Sequence, residues 1–259
     1  MTAHLARIDL YPIKSLDGLT VQTAQVLPSG ALQHDRALAL FDTTGKFING
    51  KRDARIHQVR SRFADDLAAV TVWTDEPSQT STFPLQPHPD GLAQWLSTYF
   101  EQPVTLRHDS KIGFPDDTDS PGPTLISTAT LQIIADWYGL SLVETRRRFR
   151  TNLEVAGVPA FWEDQLFSAS DEPVPFRVGA VTFWGINPCQ RCVVPTRNPQ
   201  TGDSTKGFQK HFAAQRAATL PEGVARSRFN HFYRLAVNTR LAPDSAVTSL
   251  SIGDAITRL

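Results

Sequence analysis

Short apolar runs separated by turn formers set the pattern of this sequence. Residues 3–11, 20–27, 37–41, 67–73 and 104–107 are β-branched or alternate between apolar and polar, bounded by Gly, Pro, Asp or Ser. That pattern predicts strands. Thr43, Thr44 and Gly45, between Phe41 and Phe47, predict a hairpin turn in which Gly45 supplies a positive φ. Helical spacing then interrupts the strands. Leu92, Trp95, Leu96 and Tyr99 recur at helical intervals within 91–100, behind Asp90 as N-cap. Ser127 is placed to cap a helix over 128–138 that Gly139 ends, and Ser141 with Glu144 forms the capping-box pattern of a second helix. Strand signals return at 152–155, 178–184, 192–194 and 232–237. The stretch GFPDDTDSPGP at 113–123 predicts no regular element, so it marks a domain boundary or a functional loop. The fold class that follows is α+β, mainly β, with strands on both sides of a small helical insert.

Composition narrows the range of partners. The chain has 259 residues with 26 Lys+Arg against 26 Asp+Glu, a formal net charge of zero. Proteins that bind nucleic acid through its backbone usually carry a basic excess, so no nucleic-acid partner is expected. The apolar runs fall far short of the roughly 18 residues that span a bilayer, so no membrane partner is expected either. The opening residues, MTAHLARIDLYPIKSL, lack the apolar core of a secretory signal. Two cysteines suit a reducing compartment, and the expectation is a cytoplasmic protein.

Both cysteines fall in one segment, Cys189-Gln190-Arg191-Cys192. A neighbouring guanidinium such as Arg191 favours the thiolate, the reactive and metal-binding form. Thiolate is a soft ligand, suited to thiophilic metals rather than to Mg²⁺. Other readings stay open from the spacing. Reduced cysteines also fill small core spaces, and Cys189 reads as such a packed neighbour. A thioredoxin-like pair would need a βαβ pattern close by, which the residues after Cys192 do not show. A zinc site would need two further ligands, and His211 and His231, the histidines downstream, stand in no standard finger spacing.

A second constellation is basic and dispersed. It comprises Lys14-Ser15 after Tyr11-Pro12, Arg36 after His34-Asp35, and Arg146-Arg147-Arg148-Phe149-Arg150-Thr151-Asn152. Each alone is equally well a solvated surface group, or a complement to a helix dipole. Brought together with Arg191, they would make an anion pocket of guanidinium, hydroxyl and backbone N–H donors. Asp203 and the Asp116, Asp117 and Asp119 loop are within sequence reach of such a site, but Asp in Pro, Gly and Ser surroundings is ordinarily a turn former.

These segments together resemble the MOSC (molybdenum cofactor sulfurase C-terminal) family, in its two-part form with a preceding MOSC N-terminal β-barrel region. The resemblance covers nearly the whole chain and is carried by IDLYPIKSLDG at 8–18, HDRALALFD at 34–42, FPDDTDSPGPT at 114–124, RRRFRTNL at 146–153 and NPCQRCVVPTRNPQTGD at 187–203. The last is the most specific, with its C-x-R-C run followed by the turn Asn198-Pro199-Gln200-Thr201-Gly202. The resemblance implies two β-barrel-like parts, residues 1–120 and 121–259, with the strands near 1–36 packing on the second part. It implies the molybdenum cofactor (Mo-molybdopterin), with Cys192 as the metal ligand and catalytic centre. It also implies Lys14, Ser15, Arg36, Arg150, Thr151, Asn152 and Arg191 as cofactor-binding residues.

Family members such as the mitochondrial amidoxime-reducing component reduce N-hydroxylated compounds, which implies a molybdenum-dependent oxidoreductase and a small N-oxygenated substrate. Cysteine is absent after Cys192, so the sequence lacks the Cys₄ set of a [2Fe–2S] cluster, and no dinucleotide fingerprint follows a strand. The expected electron source is therefore a separate protein. The alternative from a different class is a non-catalytic carrier of the cofactor or of sulfur, using the same pocket.

Overall fold

Both ends of the chain enter one sheet. The computed structural model describes residues 2–75, 78–85, 89–245 and 248–259. In order, the first half gives β1 (His4–Leu10), β2 (Leu19–Val21), β3 (Thr23–Gln25), β4 (Leu38–Phe41), β5 (Arg60–Phe63), β6 (Ala69–Thr74), β7 (Gln79–Pro84), α1 (Asp90–Phe100) and β8 (Thr105–His108). The rest gives β9 (Leu125–Ser127), α2 (Thr128–Tyr138), α3 (Leu142–Phe149), β10 (Leu153–Ala156), β11 (Val174–Val178), β12 (Val181–Gln190), α4 (Phe208–Ala218), β13 (Arg234–Leu241), β14 (Ser249–Ser251) and β15 (Ile256–Arg258). Strand exceeds helix, and the fold is α+β, mainly β.

The large sheet runs β15-β11-β12-β13-β9-β10-β1-β2. Its neighbours are antiparallel except β9 and β10, which are parallel. Parallel neighbours cannot be joined by a tight turn, and α2 with α3 forms the crossover between them. Leu5 N–H donates to Asp254 O at 2.8 Å and Ile256 N–H to Ala3 O at 3.0 Å, so the β15 end curls back onto β1 in a barrel-like way. A short pair, β3 with β14, adds a second tie between the two ends of the chain.

Residues 38–108 build a separate assembly. There β4 pairs with β8, and β5, β6 and β7 form a meander. Leu92, Leu96 and Phe100 of α1 pack with Leu40, Ile56, Val70 and Val72 into their own apolar cluster. A second cluster fills the large sheet around Leu5, Ile8, Phe176, Phe183 and Val237, and a third joins Phe149, Phe208 and Phe212 to Leu131 and Ile134 of α2. Tyr11, Lys14 and Ser15 lie on the chain as it leaves the large sheet for the second assembly.

The helix caps follow the sequence. Ser127 accepts from Thr130 N–H, Gly139 ends α2 in the left-handed region, and Ser141 accepts from Glu144 N–H. The Glu144 carboxylate turns to Arg148 instead of closing the box on Ser141.

Four expectations are corrected. Pro89 rather than Asp90 is the N-cap of α1, and Asp90 is its first residue. The run at 20–27 splits into β2 and β3, which pair in different sheets. The run at 178–184 breaks at Gly179 (φ 57°), so Val178 closes β11 and the following residues open β12. Residues 192–194 are not a strand. Pro195 lies in a 3₁₀ turn, Val194–Thr196, where the missing N–H costs nothing but would interrupt a ladder. Helix α4 lies outside every predicted element. Among the described residues, no helix is long and apolar enough to cross a membrane.

Candidate functional site

Three of the sequence-predicted residues share an uncommon backbone. Ser15 (φ 75°), Arg36 (φ 50°) and Arg150 (φ 52°) all lie in the left-handed region, which costs a non-glycine residue of order 1 kcal/mol and concentrates at functional positions. Arg150 is there because it caps α3, with its N–H on Arg146 O at 2.8 Å. That turn ejects its side chain from the helix surface just before β10 begins. Arg36 is held by its own N–H, which donates to Tyr11 O at 2.8 Å.

The turns converge on a cavity of about 900 Å³ between the large sheet, α3 and the 38–108 assembly. Lys14, Ser15, Arg36, Arg150, Asn152, Arg191 and Cys192 all line it. Thr151 does not. It is buried between two lining neighbours, and its carbonyl accepts from Tyr11 Oη at 3.3 Å. The wall also holds residues that sequence reasoning did not assign to a site, among them Tyr11, Asp17, Lys51, His57, Arg60 and Asn238. Tyr11 and Asp17 lie within the 8–18 segment that carries the family resemblance. Lys51, His57 and Arg60 come from segments without a local signal.

Charge is segregated here. Ten Lys or Arg side chains line the cavity against five Asp, in a chain whose net charge is zero. Most of the cations are already engaged. Lys14 Nζ donates to Asp116 Oδ1 and to Phe114 O, each at 2.7 Å, and Lys51 lies 3.2 Å from Asp116. Burial works against the Asp116 charge, but Lys14 and Lys51 hold its carboxyl below the usual range. Burial also pulls Lys14 down, opposed by Asp116. Asp17 takes Arg60 at 2.9 Å and Arg147 at 3.2 Å, and burial raises its carboxyl. Arg36 pairs with Asp35, Arg7 with Asp9, Arg146 with Glu154, and Arg148 with Glu144.

Arg150 is the exception. It has no carboxylate partner among the described residues, and its Nη2 is buried without a hydrogen-bond partner. Its guanidinium carbon stands 4.1 Å from the centroid of the Tyr11 ring, and burial together with Arg36 lowers its hold on the proton. His57 adds no charge at neutral pH. Burial, reinforced by Arg150 and Arg197, pushes its imidazole down to about 4.

The cysteine segment forms another part of the wall, against the end of α3. Cys189 is the penultimate residue of β12, and Cys192 follows the strand's end. Both thiols are free, partly buried and in the lining. Arg191 Nη1 donates to Cys189 Sγ at 3.3 Å, and its Nη2 donates to Phe149 O, fastening the segment to the end of α3. Cys189 is therefore a wall residue rather than a packed core thiol. Asn152 is committed to the backbone, its Nδ2 donating to Asp9 O at 3.1 Å and its Oδ1 accepting from Thr124 N–H at 3.2 Å. Among the described residues no three His, Cys, Asp or Glu side chains gather as a metal cluster, and His211 instead meets Trp137 O at 3.2 Å.

Family models match both parts of the chain, the MOSC N-terminal beta barrel domain over residues 2–85 and the MOSC domain over residues 124–257. The chain belongs to the MOSC domain family. The MOSC domain match takes in α3, Arg150, both cysteines and β13, and the N-terminal match takes in Tyr11, Lys14, Ser15 and Arg36. Molybdenum cofactor sulfurases of Caenorhabditis elegans and Caenorhabditis briggsae are each 27% identical over 118 residues, 44% of this chain. The chain spans only 15% of the length of those sulfurases. Mitochondrial amidoxime reducing component 2 of Macaca fascicularis is 24% identical over 242 residues, covering 76% of this MOSC chain and 68% of that protein.

Proposed function

We propose that this MOSC protein binds the molybdenum cofactor in the 900 Å³ cavity and works as an oxidoreductase on N-hydroxylated small molecules, with electrons from a separate protein. The observation that carries the reading is the pairing of a soft thiol wall at Cys192 with a cation-rich wall in which Arg150 Nη2 lacks a partner. The donor set fits such a group. A thiolate suits molybdenum, and an unpaired guanidinium beside backbone and hydroxyl donors suits a phosphate tail. The names of the sulfurase and amidoxime-reducing relatives support the same chemistry.

When bound, the cofactor supplies two-electron redox chemistry at the metal, and the protein supplies orientation and electrostatics. Cys192 is the ligand that faces the metal end. Arg150, Arg36 and Lys14 hold the anionic tail, and Ser15, turned into the cavity by its left-handed backbone, adds a hydroxyl that also accepts from Gly50 N–H at 3.3 Å. Arg191 fixes the cysteine segment against α3, so the thiol wall and the tail wall keep one spacing. Thr151 acts behind the wall through Tyr11, and Asn152, in the lining, ties it to the Asp9 backbone.

The test is turnover of an aryl amidoxime and an aryl hydroxylamine under anaerobic conditions, with a reduced viologen dye as electron source. Loaded wild type should consume both, and Cys192→Ser should not. Cofactor transfer to an acceptor protein with no substrate-dependent oxidation of the dye would replace this reading with the carrier one.

A further inference from the structure

We infer that Tyr11 is a positioning residue of the anion wall, its ring holding the guanidinium groups of Arg36 and Arg150 together at one place in the cavity. The inference rests on the reading of that wall as the receptor for an anionic tail. Arg36 and Arg150 are half-buried like charges, and of the two Arg36 alone has a carboxylate partner among the described residues, Asp35. Left to themselves, two such groups separate. Their guanidinium carbons stand 5.0 Å and 4.1 Å from the centroid of the same Tyr11 ring, within the range of cation–π attraction. Arg36 Nη2 also donates to Arg150 O at 3.2 Å.

The residue is tied at its backbone and at the ring hydroxyl. Tyr11 N–H donates to Asp35 Oδ1 at 2.9 Å, Tyr11 O accepts from Arg36 N–H at 2.8 Å, and Tyr11 Oη donates to Thr151 O at 3.3 Å. The residue thereby joins the end of β1, the turn at 35–36 and the α3–β10 junction. Asp17 also acts on the Arg150 charge, but its oxygens already serve Arg60, Arg147 and Ser61 N–H. The ring face is the interaction that holds Arg150, a residue of the cavity lining whose Nη2 is buried without a partner.

The test uses inorganic pyrophosphate as probe, titrated calorimetrically at low salt into the full chain made in a host without the cofactor. Tyr11→Phe should bind within about twofold of wild type, because the ring is kept, and Tyr11→Leu should bind about tenfold more weakly. On an Arg150→Gln background the Leu substitution should cost little more, which a merely structural role would not produce. Equal losses in the two backgrounds, or wild-type affinity in Tyr11→Leu, would overturn the inference alone. Wild type that fails to bind pyrophosphate would overturn the anion-wall reading along with it. If Tyr11→Leu fails to fold, pentafluorophenylalanine at position 11 keeps the shape and reverses the ring electrostatics. Binding equal to that of Tyr11→Phe would then overturn the inference, and a loss of about tenfold would support it.

Discussion

Lys14 Nζ lies 2.7 Å from Asp116 Oδ1, joining the turn after β1 to the Pro-rich loop more than a hundred positions later. Asp116 also faces Lys51, so one carboxylate occupies two cations that would otherwise face an incoming anion. Asp116→Asn should therefore tighten pyrophosphate binding roughly three- to tenfold, with the gain shrinking as salt is added. Calorimetric titration at two ionic strengths checks it. Weaker binding in the variant would mean that Asp116 orders the site instead of competing for it.

A buried acidic pair outside the cavity sets a pH dependence of stability. Glu163 accepts from Ser127 N–H at 3.2 Å and from Thr130 Oγ1 at 3.1 Å, beside Asp164, which pairs with Arg216. Burial, with Asp164 adding to it, pushes the Glu163 carboxyl from 4.5 up to about 7. The folded state then holds a proton that the unfolded chain releases, so this group costs stability as pH rises from about 4.5 through about 7. Glu163→Gln should flatten that slope, so the drop in Tm between pH 5 and pH 8 shrinks by roughly 3 °C or more. An unchanged slope would assign the dependence to another group.

The α2 and α3 crossover was legible in the sequence because its signals are local. Ser127, Gly139 and Ser141 act on residues within one turn of themselves, and each caps or ends its helix as expected. The long-range features were not legible. Nothing local to residues 23–25 says that they pair with 249–251, and a Val-Val-Pro run reads as strand until Pro195 is seen in a 3₁₀ turn. In the site, the family resemblance pointed to seven residues that line the cavity, but it also included Thr151, whose neighbours face the cavity while it does not. Lys51, His57 and Arg60 enter the wall only through the packing of the 38–108 assembly, which no motif encodes.

The strand that carries Cys189 passes very close to a neighbouring turn. A Cβ on Gly185 would stand 1.8 Å from Leu166 O, closer than any relaxation of a side chain could relieve. Gly185→Ala should force β12 away from that carbonyl, costing about 3 kcal/mol or more and lowering Tm by about 6 °C or more. Thermal unfolding followed by circular dichroism measures this. A variant as stable as wild type would show that β12 is free to shift there.

Ser141 offers a milder test of the tail wall. Its hydroxyl accepts from Glu144 N–H at 3.1 Å and opens the helix whose far end presents Arg150. Ser141→Ala should cost about 1 kcal/mol of stability. Pyrophosphate affinity should change less than about twofold, because Arg150 is set by the opposite end of the helix and by Tyr11. A loss of affinity as large as that of Arg150→Gln would show that the helix start governs the site.

On the proposed function, one cavity holds the metal at Cys192 and the anionic tail at the Arg36 and Arg150 wall. The most direct measurement is metal and pterin analysis of protein purified from a host that makes the molybdenum cofactor, for wild type and Cys192→Ser, with X-ray absorption at the molybdenum edge. Wild type should contain near-stoichiometric molybdenum and pterin, and the metal in Cys192→Ser should lose one sulfur neighbour. Zinc without pterin, or identical molybdenum spectra for the two proteins, would contradict that reading.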